Sequence, residues 1–205
     1  MYWNLATLSA KDKYRMLTSC IVPRPIAWVT TMSACGVGNA APFSYFTGVS
    51  IEPPLVLFAI ERRDGKKKDT LLNIEDTKEF VINLVTAHNV VAMNETSKDY
   101  QPDEDELKLA GLDTVPSVCV KPPRIQQSPV HMECRLHDIL EIGSSPHALV
   151  IGEVVAIHAA DHLIKEDRIQ MERLEAVGRM GGKWYVQAGD LFELPRLDWR
   201  KNEMI

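Results

Sequence analysis

Short apolar runs of strand length follow one another through most of the chain, with turn residues rather than long helical patterns between them. Residues 20–31 are rich in β-branched and aromatic side chains, residues 33–39 hold two glycines and an asparagine typical of a hairpin turn, and residues 55–60 are apolar throughout. Apolar residues alternate along residues 130–142, and residues 149–157 resemble a partner strand. The pattern predicts a mainly β fold, an antiparallel barrel with helices packed outside.

The predicted helices are short. One runs to residue 76 with Asp69 or Thr70 as its cap, a second covers residues 87–99, and a third follows Pro102 with acidic residues in its first turn. A further strand is expected over residues 79–85, and a helical tail from residue 190 onward.

Two fold classes are excluded by this organisation. The strands do not alternate regularly with long helices, which argues against a doubly wound parallel sheet. The chain also lacks a G-x-G-x-x-G motif at a strand-to-helix turn, so nothing indicates a dinucleotide fold. We expect one domain over residues 1–205.

Composition excludes several classes of partner and location. A net charge of −5 argues against a general nucleic-acid binder, and no apolar stretch approaches the roughly 20 residues of a membrane span. The N-terminus does not read as a signal peptide, so the four dispersed cysteines are expected to be reduced thiols in a cytoplasmic protein.

Metal and nucleophile sites are weakly supported. His131, Cys134 and His137 would converge on a metal only on a helix, whereas Pro129 and the alternation favour a strand with Cys134 facing away from both histidines. There is no G-x-S-x-G motif. His147 and His158 flank an apolar strand, where each is either a solvated strand end or part of a barrel mouth; we predict no metal and no catalytic side chain.

Two segments are candidates for ligand binding. The basic run at residues 62–68 is either a solvated turn or a phosphate site. Residues 39–46 combine small residues and a proline with aromatics and hydroxyls, which would let backbone N–H groups approach a flat ligand while aromatic rings cover its apolar edge. A proline-interrupted edge strand accounts for this second segment almost as well.

The chain resembles the flavin reductase-like family, most closely its flavoredoxin-type branch. The resemblance runs in order through most of the sequence and is carried by residues 23–31, 39–46, Ser50, 53–56, 68–70, 73–74, 79–83, 128–130, 133–134, 151–154, Arg179, 181–182 and Tyr185. No motif of the family anchors the charged residues 161–175.

The resemblance implies a split barrel that holds FMN at the interface of a homodimer. The residues implied as flavin-binding are Thr30, Thr31, Asn39, Ala41, Pro42, Phe43, Ser44, Phe46, Ser50, Lys68, Asp69, Thr70, Arg179 and Tyr185. Of these, residues 68–70 match a segment near the phosphate, and a lysine beside a helix N-terminus suits an anion. Because an acidic side chain is unsuited to direct phosphate contact, Asp69 is expected to cap the helix instead.

The implied activity is that of an oxidoreductase that passes electrons from NAD(P)H through FMN to an acceptor. The flavin N5 receives the hydride in such enzymes, so no nucleophilic side chain is needed. Two alternatives stay open: an FMN electron carrier reduced by a small redox protein, and a flavin-storage or sensor module. FMN is favoured over FAD because the sequence offers no clear adenine pocket.

Overall fold

The computed structural model describes residues 1–62, 64–98, 100–101, 104–144 and 147–195, and the backbone alone of residues 197–198 and 203–204. Fifteen strands lie within these residues: β1 Ala27–Met32, β2 Gly38–Phe43, β3 Phe46–Ile51, β4 Pro54–Glu61, β5 Glu79–Leu84, β6 Thr114–Val115, β7 Arg124–Ile125, β8 Val130–Ile142, β9 His147–Ala159, β10 Ile164–Lys165, β11 Arg168–Ile169, β12 Val177–Arg179, β13 Tyr185–Gln187, β14 Leu197–Asp198 and β15 Glu203–Met204.

The main sheet is antiparallel and curls into a barrel. Its strand order is β2-β1-β5-β8-β9-β4-β3, so β2 and β3 are the two edge strands of the sheet. Only Ser44 and Tyr45 separate these two strands in the chain. The edges must therefore come close together, and the backbone N–H of Ala59 in β4 donates to the carbonyl oxygen of Tyr45 at 2.9 Å. The expected antiparallel split barrel is confirmed.

Alternate residues of β1 face two separate cores. Ala27 and Val29 point into the barrel, where Phe58 lies 5.3 Å from the ring of Phe43 and 5.5 Å from the ring of Phe80. Trp28 points outward into a second cluster. Both faces of this strand are thus buried, which is why apolar residues occur on both of them. The polar residues Thr30 and Thr31 of the same strand are buried as well.

The long pair β8–β9 bends at two bulges, between Glu133 and Cys134 and between Leu136 and Asp138. Bulges increase local twist and help a sheet to curve. Close packing at the bend requires a glycine: a Cβ atom on Gly152 would lie 2.2 Å from Cζ of the buried Phe80.

The helices are α1 Ala10–Cys20, α2 Asp69–Thr77, α3 Val90–Glu95, α4 Glu106–Leu109 and α5 Met171–Leu174, with 3-10 turns at Leu5–Thr7 and Asp161–Leu163. Helix α2 packs on β1 and β2, and α4 packs on β2. Among the described residues, no helix is long and apolar enough to cross a membrane.

Several expected helix boundaries need correction. Lys68, not Asp69 or Thr70, occupies the cap position of α2, and no side chain caps that helix. The second helix is confined to α3, since Thr96 already leaves the helical conformation. The expected helical tail is wrong for residues 190–195, which form no helix, and Pro102 lies outside the described residues.

Candidate functional site

Two adjoining cavities lie beside β2 and the start of α2, and the larger one also reaches the end of α3. The larger has a volume of about 720 Å³ and is lined by Asn39, Ala41, Pro42, Glu61, Asp64, Lys66, Lys67, Lys68, Asp69, Thr70, Thr96, Ser97, Lys98, Tyr100, Gln101 and Glu106. The smaller, of about 130 Å³, is lined by Tyr14, Pro42, Phe43, Ser44, Tyr45, Ala59, Glu61, Lys68, His147. Pro42, Glu61 and Lys68 border both cavities.

The two segments selected from the sequence as ligand-binding therefore meet in space. Of the implied flavin-binding residues, the lining of the two cavities includes Asn39, Ala41, Pro42, Phe43, Ser44, Lys68, Asp69 and Thr70. They meet because β2 pairs with β1 while α2 packs across both strands.

Asn39 lies at the centre of a buried hydrogen-bond network in the wall of the larger cavity. Its side-chain oxygen accepts from the hydroxyls of Thr70 at 2.8 Å and Thr31 at 3.2 Å, and its amide nitrogen donates to a carboxylate oxygen of Glu106 at 2.7 Å. Thr31 in turn accepts from the amide of Asn73 at 3.0 Å. Thr31 thus supports the cavity wall from behind and does not line the cavity itself.

Glu106, on the short helix α4, was not foreseen as a site residue. Its second carboxylate oxygen accepts from the backbone N–H of Ala40 at 3.1 Å, so one carboxylate holds two donors of β2. Only 7% of the residue is exposed. Burial raises its pKa to about 7, although the bonds from Ala40 and Asn39 act in the opposite direction.

The lysines of the basic run have different surroundings. The Lys67 ammonium lies 2.6 and 2.8 Å from the two carboxylate oxygens of Glu75. That of Lys68 lies 3.9 Å from the nearer oxygen of Glu61 and 5.9 Å from the centroid of the Phe43 ring. Asp69, in the first turn of α2, has a pKa raised by burial.

Arg24 supports the smaller cavity from behind its wall. This buried guanidinium donates to the carbonyl oxygens of Thr18 and Ile21 at 2.7 Å and to the Ser44 hydroxyl at 3.4 Å. It also lies 6.0 Å from the centroid of the Tyr45 ring. The pKa of Tyr45 is raised, mainly by burial. These contacts fix the part of the cavity wall formed by Ser44 and Tyr45 to the end of α1.

The remaining implied residues do not line either cavity. Thr30 is fully buried and donates to the carbonyl oxygen of Pro123 at 2.6 Å. Phe46 packs against the barrel core, and Ser50 sits on the edge strand β3 beside an irregular register.

Arg179 and Tyr185 form a pair on the hairpin of β12 and β13. The guanidinium carbon lies 4.4 Å from the centroid of the tyrosine ring, and the guanidinium also donates to the tyrosine hydroxyl. That hydroxyl donates to the side-chain oxygen of Asn94 at 3.3 Å. The pair therefore contacts α3, whose C-terminal end leads into the lining residues 96–98 of the larger cavity.

His131 of β8 and His158 of β9 make structural side-chain contacts. Buried Glu133 accepts from the backbone N–H groups of Val118 at 2.8 Å and Cys119 at 2.6 Å. It also lies 2.6 Å from Nε2 of His158 and 4.0 Å from Nε of Arg124. His131 lies 2.9 Å from the side-chain oxygen of Asn83. No group of three potential metal ligands occurs in the described part of the chain. His158 therefore helps to pin the segment around residues 118–119 to the barrel.

Residues of the larger cavity that the sequence did not single out follow α3. Thr96 accepts a hydrogen bond from the indole N–H of Trp28 at 2.9 Å, which fixes the start of the segment that also contributes Ser97 and Lys98. A hydroxyl pair followed by a lysine after a short helix is a signal that could have suggested an anion site.

The family description "Flavin reductase like domain" matches residues 18–173. Nitrilotriacetate monooxygenase component B from Bacillus cereus is 37% identical, with a TM-score of 0.91 and coverage of 95% of this chain and 98% of that chain. The 2-nitrobenzoate 2-nitroreductase of Pseudomonas fluorescens is 31% identical, with a TM-score of 0.89 and coverage of 97% and 98%. Flavoredoxin of Desulfovibrio vulgaris, 18% identical with a TM-score of 0.75 and coverage of 95% and 97%, shares the fold.

Proposed function

Because the chain belongs to the flavin reductase-like family, we propose that it is an FMN-binding oxidoreductase that passes electrons from NAD(P)H through FMN to an acceptor. The observation that carries this proposal is the larger cavity, which joins a cationic end at Lys68 and α2 to a wall of small side chains at Ala41 and Pro42.

The size and the chemistry of the cavity support FMN as its ligand. A volume of about 720 Å³ lies within the range of small-molecule sites. The N-terminus of α2 carries no side-chain cap, so its positive end is available to a phosphate, and Lys68 adds a full charge beside it. Ala41 and Pro42 leave room for a flat ring near the backbone of β2.

The protein's own residues would bind and orient the ring and keep water from it. When bound, the isoalloxazine ring supplies the hydride and electron transfer itself. Asn39 and Thr70 lie in the cavity wall beside the proposed phosphate end, and Phe43 and Tyr45 line the adjoining smaller cavity. That smaller cavity is the proposed entry for the electron donor or acceptor.

The names of two of the solved structures described above, each more than 30% identical to this chain, support an oxidoreductase. One is a component of a monooxygenase and the other is a nitroreductase. A carrier that receives electrons from a small redox protein is the second candidate. Flavoredoxin has the same fold, so the fold is compatible with either candidate.

We also propose that the protein is a homodimer. The edge strand β3 exposes Val49 and Ile51, and the N-terminal residues Tyr2 and Trp3 are exposed as well, which offers apolar surface to a second copy. Light scattering should give twice the chain mass of 23.1 kDa; the single-chain mass at micromolar concentration would refute the dimer. The cytoplasmic location expected from the sequence stays a prediction.

The deciding experiment has two stages. Titration of the purified protein into FMN should quench flavin fluorescence, and the same titration with FAD compares the two flavins. Unchanged fluorescence with both would refute the flavin proposal. Steady-state oxidation of NADH and NADPH with FMN present then separates a reductase from a carrier, since a carrier would leave both nicotinamides unoxidised while accepting electrons from a ferredoxin-like donor.

A further inference from the structure

Asn39 has almost all of its hydrogen-bonding capacity committed inside the protein. Its side-chain oxygen has two lone pairs, and both accept bonds, from Thr31 and Thr70. Its amide nitrogen has two hydrogens, one of which is donated to Glu106. The second amide hydrogen is the group that this side chain, as a lining residue of the larger cavity, can offer to a ligand.

Of the three neighbours of Asn39, only Glu106 fixes which way the amide points. A threonine hydroxyl rotates and can either donate or accept, so Thr31 and Thr70 would tolerate both amide orientations. An ionised carboxylate can only accept, so it repels the amide oxygen and holds the amide nitrogen. The bond to Glu106 is 2.7 Å, the length of a charge-assisted hydrogen bond.

We propose that Glu106 is a positioning residue that fixes Asn39 as a hydrogen-bond donor toward the flavin, so that the cavity selects a ligand with an acceptor atom at this point. This inference rests on the proposed function. The second oxygen of Glu106 reinforces the arrangement, because it holds the outward N–H of Ala40 on the edge strand β2 at 3.1 Å.

Protonation of Glu106 would weaken the selection, since a carboxylic acid no longer repels the amide oxygen. Two charged groups face it: Asp69 on α2 and Asp105, the residue before α4, both of which raise its pKa. The other charged groups on the same cavity are Glu61, Asp64, Lys66, Lys67, Lys68 and Lys98. Burial and these acids bring the pKa of Glu106 to about 7, so its change of protonation falls in a pH range that a binding assay can cover.

Riboflavin is the probe that isolates this effect, because the FMN phosphate titrates near pH 6 and riboflavin has none. Fluorescence titration of the full-length protein should show riboflavin affinity rising up to about tenfold from about pH 6 to about pH 8, as Glu106 ionises. The Glu106→Gln variant has an amide that can itself turn to match either orientation of Asn39. This variant should bind riboflavin about tenfold more weakly than the wild type does at the higher pH, and its riboflavin affinity should no longer depend on pH.

Two variants serve as controls. Glu106→Asp keeps the charge and should restore a pH-dependent affinity. Asp76→Asn removes one exposed carboxylate from α2 without touching either cavity, and its pH profile should match that of the wild type. A wild-type profile in Glu106→Gln, or an equal loss at all pH values that Glu106→Asp does not restore, would overturn the assignment.

A measurement on the wild type covers the case in which Glu106→Gln does not fold. The side-chain amide resonances of Asn39 in ¹⁵N spectra should shift with a midpoint near that pKa of about 7; resonances that stay constant from pH 6 to pH 8 would refute the coupling. If the wild type binds neither FMN nor riboflavin, the proposed function is refuted and this inference with it. If the wild type binds both FMN and riboflavin and Glu106→Gln keeps the wild-type pH profile, only this inference is refuted.

Discussion

Lys68 should hold the phosphate of FMN, whereas its neighbour Lys67 should not. Both lysines line the larger cavity, and their side chains are similarly exposed, at 35% and 31%. Lys67 is engaged by both carboxylate oxygens of Glu75, but Lys68 approaches Glu61 only to 3.9 Å. Lys67→Ala is therefore a matched control for Lys68→Ala.

The expected magnitude follows from the chemistry of the contact. A charge-assisted hydrogen bond contributes about 1.5–3 kcal/mol, and each 1.4 kcal/mol is about tenfold in affinity. Lys68→Ala should weaken FMN binding by about 10- to 100-fold, with the lower half of that range expected because solvent screens a side chain that is 35% exposed. Lys67→Ala should weaken it by well under tenfold.

Riboflavin gives the assay its specificity. It lacks the phosphate, so wild type and Lys68→Ala should bind it about equally in the same fluorescence titration. Equal losses of FMN and riboflavin in Lys68→Ala would refute the phosphate contact. Equal effects of Lys67→Ala and Lys68→Ala on FMN would instead show that the lysines act as an interchangeable charged cluster.

Three further predictions concern stability, each measured by urea unfolding. Gly152→Ala should lower the free energy of unfolding by about 1–3 kcal/mol, because its Cβ would lie 2.2 Å from Phe80; an unchanged midpoint would contradict this. Trp28→Phe removes the donor to Thr96 and should cost about 1–3 kcal/mol, whereas a neutral result would mean that the bond contributes nothing. Burial lowers the pKa of His131 from 6.5 to about 4, so the folded state binds fewer protons and stability should fall by up to about 3 kcal/mol as pH drops from 6.5 to 4. His131→Gln should lack that part of the fall.

The strands were predictable because their signal is local. In β1, Ala27 and Val29 face one core while Trp28 faces another, and a side-chain period of two fixes that alternation in the sequence itself. The bends of β8 and β9 were not predictable, since a bulge depends on how the partner strand is paired.

Half of the candidate site was found from the sequence, and the other half required tertiary contacts. Residues 39–46 and 68–70 could be found because their composition is typical of ligand-binding segments. Glu106 does not: in sequence it is one of several acids expected to favour a helix N-terminus. In the structure it is buried, because α4 packs on β2 and places the carboxylate against Asn39 and Ala40. No local pattern encodes that contact.

The charges around the larger cavity explain why position, rather than net charge, would select a dianionic ligand. Its described lining carries four lysines and four acids, so their formal charges cancel. Lys67 is paired with Glu75, and Lys98 with Glu95, both outside the lining. Glu106, with a pKa of about 7, is only partly ionised at neutral pH. Lys66 is exposed to solvent. We therefore expect the attraction for a phosphate to be strongest where Lys68 meets the uncapped start of α2, because a helix dipole acts only within its first turn.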